Sequence, residues 1–130
     1  MLTVEVISFS YRKGYPANND GNGGGFVFDC RFLNNPGRYE EYKLLTGKDQ
    51  RVTDFLNSNS CIEEFLRNVW NIIDRAVEAY AERGFSSLQV SFGCTGGQHR
   101  SVYSAEETAK HLIEKFDFIG VNLIHRELKE

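Results

Sequence analysis

The sequence has little of what small extracellular or metal-stabilised domains rely on. It contains only three cysteines, Cys30, Cys61 and Cys94, at wide spacing. An odd number of separated thiols favours reduced cysteines, and it offers no closely spaced pair of zinc ligands. No window approaches the roughly 18 apolar residues of a membrane span, and the N-terminus lacks a basic leader followed by an apolar stretch. We therefore expect a cytoplasmic protein with no membrane segment, no metal site and no cofactor.

An excess of positive charge is also missing. Fifteen lysines and arginines stand against 18 acidic residues, which gives a formal net charge of -3. Binding to a nucleic-acid backbone needs several cationic contacts, so it would require a local basic patch. The chain has 130 residues, of which 41% are apolar. These values suit a single domain, residues 1–130, with one hydrophobic core.

The hydrophobic pattern predicts strands that alternate with helices. We predict strands at 2–9, at 87–93, at 120–124 and in a segment beginning at 26, FVFDCRF. Helices are predicted at 51–58 and 61–83, and the next one has apolar positions Val102, Ala105, Ala109, Leu112, Ile113 and Phe116. Residues 11–25, rich in glycine and asparagine, are expected to form a flexible loop, and 38–50 has no clear pattern. The order of elements predicts a single α/β domain, a largely parallel sheet flanked by helices.

The segment Cys94 to Ser101, CTGGQHRS, lies between a predicted strand and a predicted helix. Such a junction aims unpaired backbone N–H groups and the positive end of the helix dipole at one point. Gly96 and Gly97 permit positive φ and a close approach to a ligand. Arg100 adds a planar set of donors for phosphate or carboxylate oxygens, and Ser101 can cap the helix or donate to the anion. We predict an anion site here, the alternative being a glycine-rich turn with a solvated arginine.

Two residues of this segment have two interpretations each. His99 can hydrogen-bond a phosphate or act as an acid or base near neutral pH, or it can only brace the loop. Cys94 can be activated by nearby N–H groups and Arg100, or it can be a small buried thiol used for packing. The sequence leaves both pairs of alternatives open.

The spacing also fits an enzyme hypothesis. Residues 94–101 spell C-x-x-G-x-x-R-S, the form of the cysteine phosphatase loop, in which the thiolate of Cys94 would attack phosphorus and Arg100 would hold the equatorial oxygens. Gly93 stands where those phosphatases usually have a histidine. A general acid cannot be assigned, because Asp29 and Asp49 are only guesses. We therefore expect no hydrolysis that depends on Cys94.

A family resemblance covers almost the whole chain. GCTGGQHRSV is similar to the GCTGGxHRSV signature of the C-terminal domain of the RapZ family, also called YvcJ. VFDCRFLNNP resembles that family's VFDVRFLPNP, LLTGKDQRVTDFL resembles MTGLDxPVxxFL, and IHREL resembles xHRxL. The glycine and asparagine loop near residue 20 is the exception.

The resemblance implies a module that binds glucosamine 6-phosphate, an amino-sugar phosphate, and small regulatory RNA, which it presents to an endoribonuclease. Asp29 would accept hydrogen bonds from a hydroxyl or ammonium group of the sugar, and Arg31 would contact phosphate or orient Asp29. The implied pocket residues are Asp29, Cys94, Thr95, Gly96, Gly97, His99 and Arg100. We add two residues to this predicted site. Ser101 is added because it can donate to the anion, and Arg31 because it can contact phosphate or orient Asp29.

The sequence departs from the family in three places. Gln98 stands where the family commonly has lysine, and Gly37 where it has histidine, so the pocket is expected to accept a different ligand. The final HRELKE sets Arg126 and Lys129 beside acidic residues, which predicts weak, salt-sensitive RNA binding. Full-length members also carry a nucleotide-binding domain, but the motif G-x-x-x-x-G-K-[ST] is absent from these 130 residues. We expect a stand-alone module, and a homo-oligomer or a partner protein that supplies the missing domain remain alternatives.

Overall fold

One parallel sheet organises the molecule. The computed structural model describes residues 1–18 and 21–129. Its strands are β1 (Leu2–Ser10), β2 (Phe26–Asp29), β3 (Ser87–Cys94) and β4 (Ile119–His125), in the order β2-β3-β1-β4 with every pair parallel. The helices are α1 (Gln50–Asn59), α2 (Ile62–Glu82) and α3 (Arg100–Lys115). Short 3-10 helices occupy Tyr11–Lys13, Pro36–Arg38 and Glu40–Tyr42. The prediction of an α/β domain with a parallel sheet flanked by helices is confirmed.

The core lies between the sheet and the two long helices. Alternate residues of a strand point to the same face of the sheet, and those of β1 and β3 are apolar on one face. They pack with buried residues of α2 and α3 in a single cluster. Its main members are Leu2, Val4, Val6, Leu88, Val90, Phe92, Leu66, Ile73, Val77, Ala105 and Leu112. This cluster fixes α3 across the sheet, with its N-terminus next to the end of β3.

The strand register brings the carboxyl ends of the strands to one edge. In β1 and β3, Ser10 lies opposite Cys94, while in β2 Asp29 lies opposite Gly93. The backbone N–H of Cys30 continues this pairing by donating to the carbonyl of Gly93. Ligands of parallel α/β sheets bind at this edge. The predicted loop at 94–101 therefore begins where three strands end together.

Several element boundaries differ from those expected. β2 ends at Asp29 instead of continuing through FVFDCRF, and α3 begins at Arg100, before the first apolar position used to predict it. Ile113 is 64% exposed, although we expected it on the apolar face of α3. It is rotated by about 100° from Leu112, which takes the core position. Gly84, with φ of 75°, directly follows the end of α2, as predicted.

The described part of the glycine and asparagine segment is hydrogen-bonded to β3 and α2. The side chain of Asn22 donates to the carbonyl of Ser87, and the hydroxyl of Tyr80 donates to the carbonyl of Gly23. Residues 19 and 20, which belong to the loop expected to be flexible, lie outside the described residues. In residues 1–18 and 21–129, no helix is both long enough and apolar enough to cross a membrane.

Candidate anion-binding site

The loop after β3 turns sharply against the end of β1. Gly97 has φ of 66°, and a Cβ atom placed there would lie 2.9 Å from the backbone nitrogen of Ser10. The loop is held there because the Ser10 hydroxyl donates to the carbonyl of Thr95 over 2.6 Å. Gly96 does not have positive φ, so only Gly97 uses the conformational freedom that both glycines permit. One left-handed residue is enough to reverse the chain between strand and helix.

A segment distant in sequence fixes the other side of the loop. The side-chain amide of Gln98 donates to the carbonyls of Lys43 and Leu45, at 2.8 and 2.7 Å. The backbone N–H of Gly47 donates to the carbonyl of Gln98 at 2.9 Å. A Cβ atom at Gly47 would lie 2.4 Å from the carbonyl oxygen of His99, so only glycine fits this approach. The segment without a clear sequence pattern thus proves to be the support of the loop.

His99 takes part in this support. Its Nε2 lies 2.9 Å from the carbonyl oxygen of Tyr42, and the residue is 6% exposed. Since a carbonyl only accepts, Nε2 is the protonated nitrogen of the ring. Nε2 therefore braces the loop, as one of the two interpretations expected. His99 also lines a cavity at the loop, so the other interpretation, contact with a ligand, stays open for Nδ1.

Cys94 and Ser101 face one another inside the domain. The thiol of Cys94 donates to the hydroxyl of Ser101 over 3.2 Å, and the two residues are 2% and 0% exposed. Ser101 is the second residue of α3, and His99 occupies the N-cap position. The expectation that Ser101 can cap the helix is therefore wrong, because α3 begins at Arg100 and a serine cap would require it to begin at Val102.

Arg100 is the most unusual residue of the site. It is 3% exposed, and its Nη1 donates to the carbonyls of Arg31 and Leu33, at 2.8 and 3.0 Å. Its Nε is buried and has no hydrogen-bond partner among the described residues. Buried polar groups nearly always have a hydrogen-bond partner, and an exception points to a site for a water molecule, an ion or a ligand. The alternative of a solvated arginine is wrong.

Two adjoining cavities open beside Arg100. The loop cavity has a volume of about 130 Å³, and the arginine cavity has a volume of about 440 Å³. Arg100, Thr95 and Asn35 line both of them. Of the sequence-predicted site residues, the loop cavity gathers Cys94, Thr95, Gly96, His99 and Arg100. Gly97 and Ser101 support this set from behind and are not among the lining residues.

Asp29 and Arg31 lie at the same edge but form a pair of their own. Arg31 donates to both carboxylate oxygens of Asp29, with a closest distance of 2.7 Å, and both side chains are about half exposed. These hydrogen bonds, chiefly the side-chain ones from Arg31, lower the pKa of Asp29 below its ordinary value. Arg31 also stacks 3.7 Å above the ring of Tyr11, whose pKa is raised to about 12, first by burial and then by the Asp29 charge. Arg31 lines the arginine cavity, whereas Asp29 lines neither cavity.

Sequence reasoning missed several residues that line the cavities. They are Arg12, Phe32, Leu33, Asn34, Asn35, Gly37, Arg38, Tyr39, Phe55, Asn59 and Gln98. A signal existed for Gly37 and Gln98, since both had been noted as departures from the family pattern. The rest come from turns and from α1, which only the fold brings to this edge.

The two cavities provide donors and positive charge but no carboxylate. Arg12, Arg31, Arg38 and Arg100 supply four guanidinium groups, and no lining residue of either cavity is acidic. Gly93 has no room for a side chain, since a Cβ atom there would lie 2.5 Å from the rings of Phe9 and Tyr11. Among the described residues, no group of three or more histidine, cysteine or acidic side chains could hold a metal ion. The arrangement is suited to holding an anion.

These features describe a small α/β binding module with polar cavities at the carboxyl edge of a parallel sheet. The model of the RapZ C-terminal domain matches residues 2–129, and the chain belongs to that family. A nucleotide-binding protein of Ruegeria sp. strain TM1040 is 41% identical to it, with 98% of this chain and 40% of that protein covered. A nucleotide-binding protein of Fervidobacterium nodosum is 39% identical, with 98% of this chain and 43% of that protein covered. The corresponding protein of Thermosipho africanus is 34% identical, with 97% and 42% covered. The chain thus spans about two fifths of the length of these relatives.

Proposed function

We propose that the chain is a regulatory module that binds a small phosphorylated metabolite at the loop of residues 94–101 and carries out no chemistry of its own. The observation that carries this proposal is Arg100, a buried guanidinium with an unpaired Nε at the N-terminus of α3 and between two cavities. Backbone N–H groups at a helix N-terminus and a planar donor together favour a phosphate group. The loop cavity matches the size of one such group.

The class of ligand follows from the family. Membership supports a sugar phosphate, and the resemblance adds an amino-sugar phosphate as the specific expectation. The nucleotide binding in the names of the relatives is not carried over, because the phosphate-binding motif G-x-x-x-x-G-K-[ST] is absent from the 130 residues. Domain boundaries of 1–130 and a cytoplasmic location complete the proposal. The location is supported by three free cysteines, of which Cys61 is exposed.

An RNA or RNase adaptor role is the part of the family function with least support here. Of the two basic residues of the tail, Arg126 and Lys129, the first is engaged with the carboxylate of Glu127 and the carbonyl of Gly14. Few cations are therefore left for a phosphate backbone, so we propose weak RNA binding that is lost at physiological salt. Assembly with itself or with a partner that supplies a nucleotide-binding domain is part of the same proposal.

The cysteine phosphatase remains the alternative from another class. Cys94 lines the loop cavity and its thiol is hydrogen-bonded to Ser101, which is the one observation that favours it. The absence of an acidic residue from the lining of both cavities speaks against it, since the leaving oxygen needs a proton donor. We propose no hydrolysis of an aryl phosphate, and turnover abolished by Cys94→Ser would show the opposite.

A matched pair of exposed residues tests the proposed function. Arg12 lines the loop cavity, while the adjacent Lys13 lines neither cavity. Titration calorimetry with glucose 6-phosphate should show that Arg12→Gln weakens binding several-fold and Lys13→Gln leaves it unchanged. Ligand at 100 times its dissociation constant should stabilise the fold by about 2.7 kcal/mol. The proposal fails if no phosphorylated compound binds, or if both variants weaken binding equally.

A further inference from the structure

The arginine cavity has a charge pattern that the proposed amino-sugar phosphate does not explain. Arg31, Arg38 and Arg100 line it, together with asparagine side chains, and none of its lining residues is acidic. An ammonium group placed there would meet three guanidinium groups and no lining carboxylate. Asp29, a carboxylate at this edge of the sheet, already accepts three side-chain hydrogen bonds from Arg31.

The three arginines are not equally compensated. Arg31 is neutralised by Asp29. Arg100 is buried and bound to backbone carbonyls, and among residues 1–18 and 21–129 its charge has no carboxylate partner. Arg38 is exposed, and no ion pair or hydrogen bond involves its side chain in the described part of the molecule. Two positive charges of the cavity can therefore pair with an anionic ligand.

The two cavities are placed so that one molecule can enter both. They share Asn35, Thr95 and Arg100, so no wall separates them completely. The loop cavity, at about 130 Å³, has room for one phosphate-sized group. The arginine cavity, at about 440 Å³, lies within the range of small-molecule sites. Its remaining walls include Tyr39 and Phe55, whose rings can cover the carbon face of a sugar.

We infer that the natural ligand is a sugar with two anionic groups, one held by the loop cavity and the other by Arg38 in the arginine cavity. The inference rests on the proposed function, which supplies the first group, and it adds the second. Arg38 is then the residue that selects a doubly anionic sugar over a singly anionic or aminated one.

Three ligands that differ at one group test the inference. Calorimetry in 150 mM salt would compare glucose 6-phosphate, glucosamine 6-phosphate and glucose 1,6-bisphosphate. We expect the bisphosphate to bind at least tenfold more tightly than glucose 6-phosphate, and glucosamine 6-phosphate to gain nothing over it. Arg38→Gln should reduce the tenfold preference to less than threefold, because the affinity for the bisphosphate should fall much further than the affinity for glucose 6-phosphate. The control is Arg67→Gln, an exposed arginine of α2 that lines neither cavity.

The possible results separate this inference from the proposed function. Equal affinities for the three ligands, a preference for glucosamine 6-phosphate, or a preference for the bisphosphate that survives Arg38→Gln would overturn the second anionic group alone. If no ligand binds to the wild-type protein, the proposed function and this inference both fail. Thermal unfolding of each variant confirms that a lost preference does not reflect a lost fold.

Discussion

The two sides of the site are built in different ways. The loop of residues 94–101 is held by hydrogen bonds to β1 and to residues 42–47, and its arginine is 3% exposed. The opposite side, residues 31–39, consists of short turns with exposed side chains, among them Arg31 and Arg38. Changes in the loop should therefore affect both folding and binding, whereas changes on the other side should affect binding alone.

This difference suggests a division of roles. A phosphate group needs donors held at fixed positions, and a rigid loop supplies them without a large loss of conformational entropy on binding. Exposed arginines can be replaced without loss of the fold, so the identity of the rest of the ligand can change during evolution. Gly37, where the family commonly has histidine, lies beside Arg38 on this exposed side.

The largest effect is expected from Arg100→Met, because Arg100 is the residue that connects the two sides of the site. The change removes two charged hydrogen bonds to the carbonyls of Arg31 and Leu33 and the unpaired Nε. We expect the free energy of unfolding in urea to fall by about 2–3 kcal/mol and phosphate binding to disappear. Arg38→Gln should leave the unfolding free energy unchanged. A stable Arg100→Met protein that still binds glucose 6-phosphate would show that the two sides are not joined through this residue.

The next effect separates the two glycines of the loop. Gly97→Ala forces a Cβ atom toward the backbone of Ser10 and Phe9 at positive φ, and it should cost more than about 1 kcal/mol of stability. Gly96→Ala meets nothing within 4 Å and should change stability by less than about 0.5 kcal/mol. Thermal and urea unfolding of both variants measure the difference. Equal effects would mean that the loop is not pressed against β1.

A smaller effect is expected at Gln98, whose amide bridges the loop to two carbonyls. Gln98→Ala should cost about 1 kcal/mol, because the loss of the donor weakens the contact between the loop and residues 43–45. Gln98→Lys, the residue common in the family, keeps a donor and should recover part of this loss. It also adds a positive charge to the lining of the loop cavity, so the affinity for inorganic phosphate should rise. If Gln98→Lys leaves the affinity for inorganic phosphate unchanged, the anion does not bind in the loop cavity.

The smallest effect concerns Asp29 and pH. Because Arg31 lowers its pKa in the folded state, Asp29 stabilises the fold above its ordinary pKa and loses this contribution as the pH falls through the lowered value. The pair is about half exposed, so its contribution is small. Urea unfolding should show a small deficit for Asp29→Asn at pH 7 that shrinks once the pH falls below the ordinary pKa of an aspartate, about 3.9, and through the lowered pKa of the folded state. A deficit that persists at low pH would belong to packing and not to the ion pair.

The elements with regular apolar spacing were predictable from sequence. β1, α2, β3, α3 and β4 follow from their apolar residues, although β3 is buried almost throughout and no residue of β4 is fully buried. The position of the loop at the end of β3 follows from these elements. The end of β2 was not predictable, because Cys30 is as apolar as a strand residue but belongs to the turn that follows.

The site was only partly predictable. The residues of 94–101 are contiguous, so their motif could be read along the chain. The use of Arg100 was not visible, because its partners are the carbonyls of residues 31 and 33, which carry no sequence signal. The same reason hid the support of Gln98 by residues 43 and 45. Backbone contacts between distant segments depend on the fold, and any residue type can supply the carbonyl.

Amide chemical-shift mapping during a titration with glucose 6-phosphate tests the central claim most directly. Binding at the loop should move the signals of Gly96, Gly97, His99 and Arg100, with smaller changes at residues 31–38, and should leave the outer face of α2 unchanged. The shifts should saturate with one dissociation constant, and in Arg12→Gln the same shifts should need a several-fold higher ligand concentration to saturate. Saturable shifts confined to another surface, or no shifts at millimolar ligand, would contradict the assignment of the loop as the phosphate site.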